Sequence, residues 1–329
     1  MTYARPLKPA FYTDNVNWLK LNGKAKSDIL TDRAGVYDSG DKFDLFDLNP
    51  QNTAVFDTSA NLTTHIVIQI DLQDSGADVD YVAIMNHNLN TAEGAIRIAH
   101  SASTIASAGG GSIITLDTSL INAEESGGTP NVIEPTADGD TLFTFTSSSD
   151  RYWIIEIMDL TNFSATDLFM GSIMFGEAFS LPLSPDMSVN HSFSFEGVKI
   201  STGISGKRHS SPNWIKADNT TSSTGNYIPF RLDIGAQQIP GREAYSLAYS
   251  FIDDTYYFPS DLGAPSGNSF VVNVMSKTAW NAAPFIMAID SVSTTSGDYI
   301  YCRFRENSFN TVQVASGVYS TSFSVDQEF

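Results

Sequence analysis

Short runs in which apolar and polar residues alternate set the character of this chain from about residue 64 onward. HIVIQIDL, DYVAIMN, AIRIAH, FTFTSSSDRYWIIEI and GSIMFGEAFSL alternate apolar and polar residues over short runs and are separated by Asp, Ser and Gly. A period of two buries one face of a strand, whereas a helix repeats every 3.6 residues. The pattern predicts strands over residues 65–72, 81–86, 95–100, 141–145, 152–158 and 171–181. Their alternating positions nominate a core of Ile66, Ile68, Ile70, Val82, Ile84, Trp153, Ile155 and Ile157. After the proline-bearing LPLSPDMSVN a second series is predicted at 191–197, 227–234, 242–252, 270–275, 285–292, 299–305, 311–314 and 319–325. In it Tyr245, Leu247, Tyr249 and Phe251 share one face, as do Tyr319, Thr321, Phe323 and Val325. Helical signals are few: one turn over 117–121 with Asp117 as N-cap, and another over 161–169.

The expected fold class is therefore all-β, with two β-sandwich or jelly-roll domains in series. Residues 1–40 read as an extended N-terminal arm and lead-in, 41–181 as the first sandwich, and 182–329 as a second, assembly-forming β domain. The arm carries Phe11, Tyr12 and Trp18 among polar residues and is too short to fold alone. These aromatics need a partner, either the chain's own domain or a neighbouring subunit. The segments 101–111 and 123–140, rich in Ser, Gly, Pro and acid, are predicted loops.

Composition narrows the function classes. An apolar fraction of 42% supports real cores, and no run approaches the roughly 20 apolar residues of a membrane helix. The start, MTYARPLKPAFYTDN, lacks the apolar stretch of a secretory signal, so none is expected. A single cysteine, Cys302, excludes an intrachain disulfide and reads as a small core residue. The net charge of −19 disfavours holding duplex DNA through its phosphates and disfavours anionic membranes. It fits either solubility or a surface that repels nucleic acid, as a DNA conduit would need.

The order of the strand motifs resembles the galactose-binding-like, or discoidin-like, jelly roll. LFDLNPQNTAVFDTS is similar to its early loop, HIVIQIDL to its long core strand, DVDYVAIMN to the strand beside it, and DRYWIIEIMD to its Arg-Tyr-aromatic strand. Unlike secreted members, this chain has no paired cysteines. DYVAIMNHNLNTAEGAIRI, then MGSIMFGEAFSLP, ISTGISGKRHSSPNW, GREAYSLAYSFIDD and YSTSFSVDQEF resemble a family of tailed-bacteriophage structural proteins. There a jelly roll with an NHNL loop precedes a second β domain. The resemblance implies a virion component of the tail or tail tip, assembled in the host cytoplasm as a homo-oligomeric ring with other tail proteins as partners. The alternative is a carbohydrate-binding module of a host-recognition device, with a host surface glycan as ligand.

Asn86, His87 and Asn88 follow a predicted strand; they either hold a tight turn or fix a sugar hydroxyl. Asp71, Asp74, Asp78 and Asp80 crowd one connection and are either a solvated acidic turn or calcium ligands, although the EF-hand spacing is missing. Calcium is the one cofactor these residues bring into view. No nucleophile elbow, zinc-protease or phosphate-loop motif occurs, so no catalytic residue and no enzyme is expected. Lys199, Lys207 and Arg208 form the one local basic cluster. It either balances acid elsewhere or docks, with the arm aromatics, on a neighbouring subunit.

Overall fold

The computed structural model describes residues 7–58, 65–73, 76–127, 129–159, 163, 167–186, 189–195, 198–202, 204–212, 227, 229–230, 241–259 and 268–328. The chain is an all-β protein of β-sandwich type, built from large antiparallel sheets. One seven-stranded sheet runs Ala123–Glu125, Val132–Pro135, Gly94–Ser101, Tyr152–Asp159, His65–Asp71, Leu30–Ala34, with Ser112–Ile113 on one edge. It faces part of a thirteen-stranded sheet through a core of alternating residues. Ile66, Ile68, Ile70, Val82, Ile84, Trp153, Ile155 and Ile157 all lie in that core. Their alternation places all eight on one side of their strands, while Val67 and Ile154 on the other side pack into a separate small cluster.

The larger sheet runs Asn190–Phe195, Gly241–Asp253, Val318–Gln327, Tyr299–Phe304, Phe285–Ala288, Ala10–Asp14, Leu168–Ser180, Val79–His87, Gly139–Ser148, Leu116–Ile121. Three short strands attach beside this path: Thr311–Ala315, Ala54–Phe56 and Tyr37–Ser39. Ala10–Asp14 is its keystone. It pairs on one side with Leu168–Ser180 and on the other with Phe285–Ala288, so one sheet passes through both halves of the chain. Alternation sends Phe11 into the core of the C-terminal half and Tyr12 to the opposite face, against Tyr81 and Tyr299. Gly176 permits this pairing: a Cβ there would lie 2.0 Å from the Thr13 carbonyl oxygen.

The stretch read as an arm is thus interior structure. Asp14 leaves the strand extended and caps the helix Asn15–Leu21, its carboxylate accepting from the Asn17 N–H at 2.7 Å. The same side chain accepts from the Phe175 N–H, and burial raises its pKa. Val16, Leu19, Ile29 and Leu30 enter the first sandwich's core, which therefore draws on residues before 41.

Three local expectations are overturned. Residues 117–121 belong to the strand Leu116–Ile121, paired with Gly139–Ser148, where Leu120 and Ile121 meet apolar neighbours. Residues 271–276 form a helical segment rather than a strand. Its wider turns place Val274 and Met275 in the second core while Asn273 hydrogen-bonds near Thr13. Part of 123–140 is strand, Ala123–Glu125 against Val132–Pro135. The predicted turn at 161–169 and strand at 227–234 fall mostly outside the described residues; Leu168 and Phe169 begin a strand. Among the described residues no helix is long and apolar enough to cross a membrane.

Candidate functional site

Asn86, His87 and Asn88 end the Val79–His87 strand and are buried. Asn86 takes a left-handed φ of 54°, which asparagine tolerates better than most residues, and its amide donates to the Pro50 carbonyl at 2.7 Å. The Leu89 N–H donates to His87 Nδ1, so Nε2 carries the proton and faces Thr141 Oγ1 at 2.9 Å. Burial alone pushes the imidazole pKa down to about 3, which keeps it neutral. Asn88 is held at both ends of its side chain: Oδ1 accepts from the Phe169 N–H and Nδ2 donates to the Asp167 carbonyl. These groups knit a corner together, and their polar atoms point into the protein.

Beneath that corner lies a residue the sequence did not single out for this role. Asp140 is buried; its carboxylate accepts from the Phe230 N–H at 2.7 Å, from the Tyr227 hydroxyl and from the Asn86 N–H at 3.4 Å. Desolvation outweighs these bonds and raises its pKa to about 6. Asp140 therefore ties Tyr227 and Phe230, which lie between the strands Arg208–Pro212 and Gly241–Asp253 in sequence, to the first sandwich.

The four aspartates of the acidic connection do not gather. Asp71, on the seven-stranded sheet, receives the Arg151 guanidinium on both oxygens, at 2.7 and 3.0 Å. Asp80, on the larger sheet, accepts from the Ala178 N–H at 2.7 Å. Burial first, and then the Glu177 charge, raises its pKa to about 7, although the Ala178 bond and Lys277 oppose this. Asp78 is exposed, and Asp74 lies outside the described residues. Among the described residues no group of three or more His, Cys, Asp or Glu converges to hold a metal ion.

Two further polar clusters stand on the first sandwich. His100 lies tilted against Trp153, ring centroids 4.9 Å apart, and places Nδ1 2.6 Å from Asp150 Oδ2. Ser148 Oγ approaches the same nitrogen, at 3.3 Å. A hydrolytic triad needs its serine and aspartate on opposite imidazole nitrogens, so this set orients a ring and activates no nucleophile. On the seven-stranded sheet Arg97 and Glu156, both buried, form an ion pair at 2.7 Å. The loop after Gly94–Ser101 covers it: the Gly109 N–H donates to Glu156 and Ile105 packs on Val67, Ala99 and Ile154.

The proposed assembly residues divide. Phe11 and Tyr12 are buried within their own chain, and Trp18 packs partly on the first core with Lys277 Nζ 6.0 Å above its ring. The chain itself supplies the burial these rings require. The basic cluster is different. Val198–Thr202 and Arg208–Pro212 form a two-stranded hairpin that, among the described residues, joins neither large sheet. Lys199 lies in its first strand, while Lys207 and Arg208 are exposed beside the tip. Phe251 also departs from expectation. A register shift between Tyr249 and Ile252 hands the core position to Ile252 and leaves Phe251 74% exposed.

No known family matches this sequence, and no curated protein does. Among solved structures, the chain is similar to chitosan-binding module 1 of a chitosanase/glucanase from Paenibacillus sp. IK-5. The identity is 13% and the TM-score 0.30, over 45% of this chain and 93% of that one. A likeness at this level says nothing about what the chain binds.

Proposed function

We propose that this protein is a structural component of a tailed-bacteriophage virion, a tail or tail-tip protein that works through contacts between its own copies arranged as a ring. One observation carries the reading. Six large apolar side chains are more than half exposed among the described residues, and five of them, Ile204, Phe251, Trp280, Val292 and Val312, lie in the C-terminal half. Where such side chains lie together in one patch, exposed apolar surface marks a contact site. The polar groups that would serve as a ligand site in the first half are instead engaged within the fold. In this reading interfaces rather than catalysis do the work, and part of the surplus acid lines a lumen where it repels the phosphates of passing DNA. Light scattering and negative-stain microscopy of the purified chain test it. A closed ring is expected. A monomer at every concentration overturns the reading, and glycan binding by that monomer would establish the carbohydrate-binding alternative.

A further inference from the structure

The hairpin Val198–Thr202/Arg208–Pro212 is a short element with an unusual surface. Two strands of five residues pair, among the described residues, with each other alone, Thr202 opposite Arg208 and Ser201 opposite His209. An isolated two-stranded hairpin is marginal in water unless something packs on it. Every described side chain of its distal end, from Ser201 to Arg208, is exposed, and Ile204 at the turn stands free with a relative exposure of 112%. Gly206 turns the chain there with φ +76°, and a Cβ at this position would meet nothing within 4 Å.

Its charge is opposite to that of the molecule. VKISTGISGKRHSSP holds two lysines and one arginine and no acid, in a chain whose net charge is −19. Among the described residues neither Lys207 nor Arg208 makes an ion pair, although six other lysines and arginines do. A cationic finger with an apolar tip fits an acidic surface with a shallow apolar recess. The acidic surface available wherever this protein is concentrated is another copy of itself. Such a contact is heterologous, because the finger of one copy meets a different surface on the next, and contacts of that type make a ring when the rotation between copies closes and an open filament when it does not.

We infer that this hairpin is the inter-subunit finger of the assembly: Ile204 seats against apolar surface of the neighbouring copy while Lys207 and Arg208 meet its acidic side chains. This rests on the reading that copies assemble, and it names the element that joins them. Opposed charges on exposed groups attract over about one Debye length, roughly 10 Å at 0.1 M salt, so assembly through the finger weakens as salt rises.

The test uses the full chain. Light scattering across concentration and salt is recorded for the unaltered protein, for Lys207→Glu with Arg208→Glu, and for Ile204→Asp. These positions are exposed, so all proteins should share one urea midpoint; a variant that does not is replaced by Lys207→Gln with Arg208→Gln. The expected result is an assembly midpoint shifted at least tenfold to higher concentration in each variant. In parallel, a photo-crosslinker placed at position 204 in a mixture of isotopically labelled and unlabelled chains should give labelled–unlabelled links to acidic segments. Unchanged assembly in the charge-reversed variant, or links confined to one chain, overturns the finger while leaving the ring reading in place. Retention of nucleic acid by the unaltered hairpin, lost on charge reversal, also overturns it. An unaltered protein that stays monomeric refutes the ring reading itself.

Discussion

Asp80 gives this fold a pH dependence that can be calculated and removed. Its carboxylate is largely buried where the first sandwich meets Ala178, and its pKa rises from 3.8 to about 7, chiefly by desolvation and then by the Glu177 charge. A carboxyl group with a raised folded-state pKa favours the fold while protonated. Its contribution is complete below the unfolded pKa near 4 and is lost as pH climbs through about 7. Each unit of difference is worth about 1.4 kcal/mol, and since the group is still half protonated at pH 7, Asp80 alone lowers stability by about 2 kcal/mol between pH 5 and pH 7 and by about 3 kcal/mol by pH 8. Working above pH 5 also stays clear of the isoelectric point near 4.4. Asp80→Asn keeps an oxygen to accept from the Ala178 N–H and abolishes the titration. Urea unfolding at pH 5, 6, 7 and 8 should therefore give a wild-type stability that falls across the series. The variant should fall less, with the two curves diverging by about 3 kcal/mol. The remaining slope in the variant belongs to groups such as Asp140, whose pKa of about 6 acts with the same sign. Parallel wild-type and variant curves would show that the Asp80 carboxylate ionises in the fold as it does in water, and would refute the argument.

Other substitutions probe other parts of the architecture. Gly176→Ala forces a methyl group against the Thr13 carbonyl and should cost about 3 kcal/mol in urea unfolding; a neutral result would mean that the strand pairing there is not needed. Phe11→Ala empties a position ringed by Phe270, Phe285 and Phe323 and should cost about 3–5 kcal/mol, with the loss visible in the near-ultraviolet signal of the aromatic core. Arg97→Ala leaves Glu156 buried without its main partner and should cost about 3–5 kcal/mol, whereas replacing both by apolar residues should recover most of that; equal losses would contradict the ion-pair account. Millimolar calcium should leave the melting temperature unchanged, since Asp71 is committed to Arg151; a rise of several degrees would reinstate the acidic connection as a metal site.

Much of the architecture is legible in the chain itself. Isoleucines at every second position of HIVIQID, and Trp153, Ile155 and Ile157 in YWIIEIMD, specify both the strand and the side that faces the sandwich core, because a one-residue slip would turn all of them away from it. The placement of Cys302 and the eight sandwich-core residues follows from the same rule. The role of residues 10–14 does not. AFYTD is a five-residue stretch that reads equally as an arm or a strand, and its position between two strands some 160 and 275 positions away is a long-range choice. The pattern also cannot reveal a bulge: Tyr245, Leu247, Tyr249 and Phe251 alternate without fault, yet the register shift before Ile252 turns Phe251 out to solvent. The candidate residues divide along the same line. The sequence could place Asn86, His87 and Asp80 near turns, because their side chains favour such positions locally. Only packing determined that the histidine would be neutral, that Asp71 and Asp80 would belong to different sheets, and that Asp140 would meet Tyr227. Each of those outcomes depends on which distant backbone excludes water from the group, and that is a property of the folded whole.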